Sequence, residues 1–344
     1  MQRCLQLAQK GLGTAAPNPV VGAVLVHEDR IIGEGYHHHP GGPHAEVMCI
    51  NSVEKCNKSL VPSSVMYVSL EPCNHHGRTP PCTDLILQQH IKKLVVGCVD
   101  PFPKVSGAGI QRLRGAGVHV EVDVLQKECL FVNRRFFTVQ TKQRPYVVLK
   151  WAQTADGFLG TGTQQRLHIS GEQTARLVHR WRSEESAILV GKNTALWDNP
   201  RLTNRYGPGR QPLRVVLDRN AELPSTLTLF ADGYDTLLLT AAEQTALGEK
   251  AMVHTLPQNF DVHHVLHALH LHAVQSVVVE GGAQVLQSFL NLGLWDEIRL
   301  ITNTHMFAGA CVPAPFMPNL QPHETIHLGA DVIHTFYKTE YYPH

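Results

Sequence analysis

The sequence predicts an α/β protein built from two different domains, and three observations support this. The chain has 344 residues, more than one hydrophobic core usually serves. Short apolar strands alternate with helical segments throughout, the pattern of sheets layered with helices. A polar, basic run just before Arg144 and Pro145 separates two such stretches, which share no visible repeat. We therefore expect one domain over 1–143 and a second over 144–344.

The first half contains alternating strands and helices. Strands are expected where apolar and β-branched residues run together, at 20–26, 31–35, 65–70 and 94–99. Helices are expected around them, at 2–10, 44–56, 82–91, 107–117 and within 123–143. This order predicts a sheet covered by helices.

The second half repeats the alternation with different lengths. Strands are expected at 146–152, 187–190, 213–217, 236–240, 276–280 and 297–302. Helices are expected at 171–183, 241–249, 261–272 and 283–291. The stretch 190–205 is rich in turn formers and is expected to be a loop.

Composition narrows the function classes. Hydrophobic residues make up 43% and charged residues 17%, which is ordinary for a globular protein. A net charge of +1 disfavours nucleic acid and anionic membranes as partners. No stretch approaches the roughly 20 apolar residues of a membrane span, and the first residues lack a signal-peptide core, so we expect a cytoplasmic protein. Most of the eight Cys are expected to be reduced core residues, and the clusters among the 22 His lack matched ligand partners.

Three short pieces predict a catalytic zinc site. They are His44-Ala45-Glu46, Glu71-Pro72-Cys73 and Pro80-Pro81-Cys82. Catalytic zinc has three protein ligands and an open position for water, and one His with two Cys meets that count. Glu46 follows His44 by two residues and can carry a proton from water to a substrate nitrogen.

The spacing of these pieces indicates a deaminase. Zinc-dependent nucleobase deaminases carry H-x-E followed by P-C-x-x-C. Here eight residues, not two, separate Cys73 from Cys82. The alternatives are a closed structural zinc site or three unrelated buried residues, neither of which explains Glu46.

The longer motifs identify a family. AAPNPVVGAV (15–24), GPHAEV (42–47), EPCNHHGRTPPC (71–82) and DPFPKVSGAGI (100–110) resemble the cytidine-deaminase-like superfamily and, within it, the bifunctional deaminase/reductases of riboflavin biosynthesis. The resemblance implies a cytidine-deaminase-like α/β/α sandwich acting on 2,5-diamino-6-(5-phosphoribosylamino)pyrimidin-4(3H)-one. Asn18 can present its amide to the pyrimidine, and His76 and Arg78 can face the sugar phosphate.

No G-x-G-x-x-G follows a strand in the second half, so the common dinucleotide fingerprint is absent. Gly281-Gly282, between a strand and a helix, could bind phosphate or only permit close packing. LKWAQTADG, WRSEESAILVGKNTALWDNPRLTNR and VVVEGG resemble the reductase half of the same family. The resemblance implies a dihydrofolate-reductase-like α/β fold that uses NADPH and forms a homodimer or larger assembly.

The resemblance also implies roles for individual residues. Cofactor contacts are expected at Ala152, His168, Thr194, Asp198, Arg219, Gly282, Ala283, Gln284, Val285, Leu286, Gln287 and Ser288. Substrate contacts are expected at Arg166, Arg182, Leu202, Arg205 and Glu280. Arg182 and Arg205 suit a ribose phosphate, and Arg219 suits the extra phosphate of NADPH.

Two alternative functions remain open from the sequence. One is a zinc deaminase for a free nucleobase or tRNA, with a non-catalytic second domain. The other is a second half that has lost reduction and serves assembly or regulation.

Overall fold

The computed structural model describes residues 1–76, 80–100, 106–160, 167–206, 209–243, 247–309 and 312–338. These residues form two compact units, one made of Met1–Gln143 and the other beginning at Arg144. Within the described ranges, no helix has the length and apolarity to cross a bilayer.

The first unit is organised on a five-stranded sheet. Its strands are β1 (Gly22–His27), β2 (Arg30–Tyr36), β3 (Val65–Val68), β4 (Lys93–Val96) and β5 (His119–Glu121), in the spatial order β2-β1-β3-β4-β5. β1 is antiparallel to β2 and β3, whereas β3, β4 and β5 are parallel. Its helices are α1 (Gln2–Gln9), α2 (Ala45–Asn51), α3 (Cys82–Gln88), α4 (Ala108–Gly115), α5 (Gln126–Val132) and α6 (Arg134–Lys142), with a 3-10 helix at Lys55–Ser63.

Both faces of this sheet are covered because its strands carry apolar side chains on each side. In β1, Ala23 and Leu25 pack into the core that α2, α3 and α4 complete. Val24 points the other way and packs with Cys4 and Leu7 of α1. The alternation of side chains along a strand thus produces the helix–sheet–helix layering.

In this unit one predicted helix was too long, and another was predicted without its break. The helix predicted at 44–56 ends at Asn51, where the Ser52 hydroxyl donates to the Cys49 carbonyl and accepts the Glu34 N–H. The helix predicted within 123–143 is two helices divided at Asn133. The Asn133 side chain both accepts from and donates to the backbone of Val20, and these bonds fix the break.

The second unit is built on a nine-stranded sheet in the order β11-β10-β9-β8-β12-β6-β13-β16-β15. The strands of this unit are β6 (Tyr146–Thr154), β7 (Phe158–Gly160), β8 (Ala187–Gly191), β9 (Leu213–Leu217), β10 (Thr236–Thr240), β11 (Ala251–Thr255), β12 (Ser276–Gly281), β13 (Glu297–Asn303), β14 (Val312–Pro313), β15 (Glu324–Leu328) and β16 (Asp331–Tyr337). Strands β7 and β14 lie outside the large sheet and pair with each other. The first seven strands in this spatial order, from β11 to β13, are parallel to their neighbours. Strand β16 is antiparallel to both β13 and β15. Its helices are α7 (Glu172–Glu184), α8 (Lys192–Asp198), α9 (Thr228–Ala231), α10 (Val262–Leu271) and α11 (Ala283–Asn291).

The six strands predicted in this half are confirmed, and two other predictions are wrong. The expected loop at 190–205 contains α8. The expected helix at 241–249 is absent from its described residues, 241–243 and 247–249. There the Ala242 N–H bonds the Thr240 hydroxyl, and Gly248 lies against the Phe230 carbonyl, so the chain follows a turn.

Candidate active sites

Three side chains predicted as metal ligands come together in the first unit. His44 immediately precedes α2 in extended backbone. Cys73 lies in the segment that follows β3, and Cys82 is the first residue of α3. The segment after the strand and the starts of two helices therefore deliver the three donors to one place.

The donor atoms have a spacing that suits a tetrahedral metal. His44 Nδ1 lies 3.2 Å from Cys82 Sγ and 3.4 Å from Cys73 Sγ. All three donor atoms lie within 4.8 Å of one another. Zinc bonds of about 2.0 Å to nitrogen and about 2.3 Å to sulfur separate tetrahedral ligand atoms by roughly 3.5–3.8 Å. This donor set therefore fits zinc, and the described ranges hold no second cluster of this kind.

The pKa values of the Cys73 and Cys82 thiols are shifted in opposite directions. Hydrogen bonds from the Cys82 thiol, from His44 and from the Cys82 backbone N–H lower the pKa of Cys73 to about 4. The bond to Cys73, together with burial, raises the pKa of Cys82. Because the thiolate is the metal-binding form of cysteine, Cys73 is prepared to act as a ligand.

Glu46 lies in the first turn of α2 and is 3% exposed. Burial and the nearby charge of Cys73 raise the pKa of Glu46 to about 7, and its carboxyl is in hydrogen-bonding contact with Cys82. A carboxyl with a pKa near the working pH can both accept and donate a proton. This burial and this raised pKa are those expected of a proton carrier.

Asn18 is held beside the ligand cluster by a buried histidine. His37 Nδ1 lies 3.0 Å from the Pro43 carbonyl, so this nitrogen donates. His37 Nε2 must then accept from Asn18 Nδ2, 3.0 Å away. Among the residues that the structure describes, no donor bonds the amide oxygen of Asn18, which can therefore accept from a ligand. The His37 ring packs edge-on against His44, with 5.6 Å between ring centroids. Asn18 is thus oriented next to the predicted zinc site.

Three residues between Cys73 and Cys82 were candidates for substrate contacts or lie near them. Asn74 is occupied, because its Oδ1 accepts from the Thr83 hydroxyl and from Arg112. His76 is exposed. Arg78 lies outside the described residues, so its predicted contact with the sugar phosphate stays a prediction.

Glu71 is a buried site residue to which the sequence patterns assigned no role. Its carboxyl accepts the backbone N–H groups of Asp100, Gly107, Gly109 and Ile110, at 2.9–3.3 Å. A Cβ on Gly109 would lie 2.3 Å from the Pro72 carbonyl, so this close approach requires glycine. Glu71 thereby fastens the start of α4 to the turn that carries Cys73.

The second unit has a cleft of about 1240 Å³ at the carboxyl ends of its parallel strands. Open α/β sheets bind ligands at this edge. Of the residues predicted to contact cofactor or substrate, the cleft brings together Ala152, His168, Arg182, Thr194, Asp198, Leu202, Arg205, Arg219, Glu280, Gly282, Ala283, Gln284, Val285, Leu286 and Ser288.

Among the described residues, one predicted contact does not line the cleft. Gln287 faces elsewhere: its side chain accepts the Phe316 backbone N–H and donates to Asn291. Arg166 lies outside the described residues.

Glycines allow close approach at the turn from β12 into α11. The Gly282 N–H donates to the Thr194 hydroxyl at 2.9 Å. A Cβ on Gly281 would lie 3.1 Å from that hydroxyl, and one on Gly191 would lie 2.8 Å from a Val285 methyl. The turn and the start of α8 therefore form one surface, where a helix start can meet phosphate.

Arg182 and Glu280, predicted separately as substrate contacts, bind each other. Arg182 donates to both Glu280 oxygens, at 2.9 and 2.7 Å. Burial alone would raise the pKa of Glu280, but the charges of Arg182 and Lys150 outweigh it and hold the pKa at about 2. Lys150 Nζ lies 3.9 Å from the same carboxyl and was missed from the sequence because it resembles any strand residue.

Arg219 is held at the edge of the cleft. Its guanidinium donates to the carbonyls of Gln258 and Phe260 and lies 4.1 Å from the centroid of the Phe260 ring. These contacts orient the cation in advance of any ligand.

Comparisons with known proteins define the class. Residues 1–98 match the zinc-binding region of cytidine and deoxycytidylate deaminases. Residues 145–333 match the C-terminal domain of RibD. The chain is a two-domain enzyme in which a zinc-binding deaminase domain precedes a reductase domain, which confirms the predicted fold class and the zinc and NADPH-type cofactors.

Relatives match along almost the whole chain. Riboflavin biosynthesis protein RibD of Aquifex aeolicus is 42% identical over 303 residues, covering 87% of this chain and 84% of the relative. The protein of the same name from Escherichia coli is 32% identical and covers 87% of this chain and 85% of itself.

Solved structures agree. The crystal structure of a diaminohydroxyphosphoribosylaminopyrimidine deaminase/5-amino-6-(5-phosphoribosylamino)uracil reductase from Thermotoga maritima is 36% identical, with a TM-score of 0.90 over 98% of this chain and 97% of that one. Acinetobacter baumannii RibD is 30% identical, with a TM-score of 0.87 over 98% of each chain.

The chain belongs to the RibD family of bifunctional riboflavin biosynthesis proteins. The family confirms the predicted deaminase and reductase activities. It does not favour a nucleobase or tRNA deaminase with a non-catalytic second domain.

Proposed function

We propose that this chain catalyses two consecutive steps on one small molecule. The domain over 1–143 hydrolytically deaminates 2,5-diamino-6-(5-phosphoribosylamino)pyrimidin-4(3H)-one. The domain over 144–344 then reduces the ribose of 5-amino-6-(5-phosphoribosylamino)uracil to a ribityl chain with NADPH. The observation that carries the proposal is the meeting of His44, Cys73 and Cys82 beside buried Glu46. The name of the Thermotoga enzyme supports the choice of substrates.

In the deaminase, we assign the metal to His44, Cys73 and Cys82. A zinc ion held there supplies a Lewis acid that makes water nucleophilic at neutral pH. Glu46 accepts a proton from the attacking water and delivers it to the departing nitrogen, so that ammonia leaves as the new C–O bond remains. Its burial directs the proton to the substrate and away from bulk water.

Substrate orientation falls to the residues around that cluster. The free amide oxygen of Asn18 accepts from an N–H of the pyrimidine. His76 and Arg78 supply polar and positive groups for the sugar phosphate.

In the reductase, the cleft accommodates cofactor and substrate together. When bound, NADPH supplies the hydride that reduces the opened ribose. The turn at 282–286 and Thr194 receive the cofactor's phosphates, while Ala152, His168, Asp198, Arg219 and Ser288 line its path. Arg205, Leu202, Arg166 and the Arg182–Glu280 pair hold the substrate.

We further propose a homodimer or larger assembly built through the reductase half, as the fold of that half implies. A cytoplasmic location fits a phosphorylated substrate and NADPH, both of which are intracellular metabolites. Light scattering of the purified protein tests the assembly, and a monomer at micromolar concentration would contradict it.

The test follows both reactions in one sample. Purified zinc-loaded protein given the diaminopyrimidinone phosphate should release ammonia first and then oxidise NADPH, seen as loss of nicotinamide absorbance. Given the deaminated uracil compound, it should oxidise NADPH without releasing ammonia. Failure to release ammonia would contradict the deaminase assignment. Failure to oxidise NADPH with either compound would contradict the reductase assignment.

A further inference from the structure

A buried histidine in the reductase cleft contacts one of the expected substrate residues twice. His179 lies on α7, is 3% exposed and lines the cleft. Its Nδ1 accepts the backbone N–H of Arg205 at 3.1 Å. Its Nε2 lies 3.2 Å from Nη2 of the Arg205 guanidinium. One ring therefore touches both the main chain and the side chain of Arg205.

The backbone contact decides where the ring carries its proton. A backbone N–H can only donate, so Nδ1 is unprotonated, and a neutral ring has its proton on Nε2. That Nε2–H cannot accept from a guanidinium, which has donors only. His179 thus accepts the backbone N–H of Arg205, and its Nε2–H provides no acceptor for the Arg205 guanidinium.

The two arginines at this end of the cleft therefore differ. Arg182 donates to both oxygens of Glu280 and to the Thr203 carbonyl. Arg205 is exposed, and in the ranges that the structure describes its guanidinium forms no ion pair and has no side-chain acceptor, since the adjacent His179 Nε2 carries a proton. The guanidinium of Arg205 is the one with donors left for an anionic ligand.

We propose that His179 is a positioning residue for the reductase, holding the Arg205 backbone so that the guanidinium projects into the cleft and binds the phosphate of the substrate. The proposal rests on the proposed function, because that function supplies a phosphorylated substrate.

The surroundings of His179 keep the ring neutral, as this role requires. Burial and the positive charges of Arg182 and Arg205 lower the pKa of His179 to about 4, although Glu280 opposes them. The Tyr206 ring packs edge-on, with 4.8 Å between centroids. A protonated ring would turn a donor toward the Arg205 N–H and add a third cation beside two arginines.

Three variants of the full-length protein separate positioning from general damage. His179→Asn keeps an acceptor near the place of Nδ1, whereas His179→Leu removes it. Arg180→Ala is the matched control on the exposed side of α7, where Arg180 pairs with Glu184. The measurement is kcat and KM with saturating NADPH, for the phosphorylated uracil compound and for its dephosphorylated counterpart.

We expect His179→Leu to raise KM for the phosphorylated compound about tenfold, the loss of roughly one hydrogen bond to a charged group. Its kcat and its kcat/KM for the dephosphorylated compound should stay within about twofold. His179→Asn should recover most of the loss, and Arg180→Ala should match the unaltered protein.

Two outcomes would overturn the proposal. One is an equal loss on both compounds in His179→Leu, since damage to the whole cleft does not depend on phosphate. The other is a His179→Asn variant as impaired as His179→Leu. If the unaltered protein reduces neither compound, the proposed function fails instead, and calorimetric binding of the phosphorylated compound to the same variants still decides the role of His179.

Discussion

The deaminase site and the reductase cleft concentrate their chemistry differently. In the first, three donors and one buried carboxyl, from three short segments, meet in one cluster. In the second, a cleft of about 1240 Å³ draws its lining from strand ends between Lys150 and Val312, and its buried charges bind one another. We therefore expect a single substitution to abolish the deaminase activity but only to weaken the reductase activity.

The largest effect is expected from loss of a metal ligand. Cys73→Ser removes one of three donors, so zinc content should fall from about one ion per chain to near zero and deaminase activity to background. Reduction of the deaminated uracil compound should continue. Metal analysis and ammonia release measure the change, with exposed Cys56→Ser as control. A Cys73→Ser protein with full zinc and full deaminase activity would refute the ligand assignment.

Glu46→Gln should lower deaminase turnover by about 10²–10⁴-fold and leave zinc in place, because the amide cannot carry the proton. The readout is ammonia release beside metal content, and exposed Glu54→Gln is the control. Turnover that survives the change would remove Glu46 from the mechanism. An unchanged rate of NADPH oxidation with the deaminated compound would show that the two sites work separately.

In the reductase, Glu280→Gln should destabilise the domain by about 3 kcal/mol, because buried Arg182 loses its charged partner. Urea unfolding measures this, with the exposed pair member Glu172→Gln as control, for which the change should stay below about 1 kcal/mol. A Glu280→Gln protein as stable as the control variant would show that the pair contributes nothing to folding.

The same carboxyl sets a pH dependence. The folded-state pKa of Glu280 is about 2, below the ordinary value of 4.5. Its contribution to the free energy of unfolding is therefore complete above pH 4.5 and is lost as pH falls toward about 2. Glu280→Gln should flatten that part of the stability profile.

The smallest effect is expected at Arg219. Arg219→Ala should raise KM for NADPH by about tenfold or less and affect NADH little, because the held guanidinium suits the extra phosphate of NADPH. Steady-state kinetics with both cofactors measure it, and Lys250→Ala, whose partner is Asp235, is the control. Equal losses with both cofactors would reassign Arg219 to the part that NADPH and NADH share.

The sequence predicted residue types better than it predicted partnerships. Zinc chemistry requires particular side chains at particular helix and strand ends, so His44, Cys73 and Cys82 could be predicted as ligands from the sequence motifs. Arg182 and Glu280 were predicted as substrate contacts through the family resemblance. Their pairing across 98 residues could not be, because it depends on how strands assemble.

Features set by long-range packing were also beyond the sequence. Helix α8 forms among turn-forming residues because a short helix depends mainly on tertiary contacts. In the sequence, Glu71 is only a neighbour of the Pro-Cys motif, and its role appears when the backbone N–H groups of Asp100 and Ile110 are brought to its carboxyl.

Because of the hydrogen bonds at Glu71, the affinity for zinc depends on residues beyond the three ligands. The carboxyl ties the amides of Gly107, Gly109 and Ile110 to the turn bearing Cys73, so ordering those amides and ordering the ligand are linked free energies. The effect is reciprocal: a bound metal stabilises the ordered position of those amides, and any change that disorders them lowers the affinity for the metal. The same His-Cys-Cys trio grafted elsewhere without Glu71 would bind zinc less tightly, because the ion itself would then have to supply the work of ordering the turn.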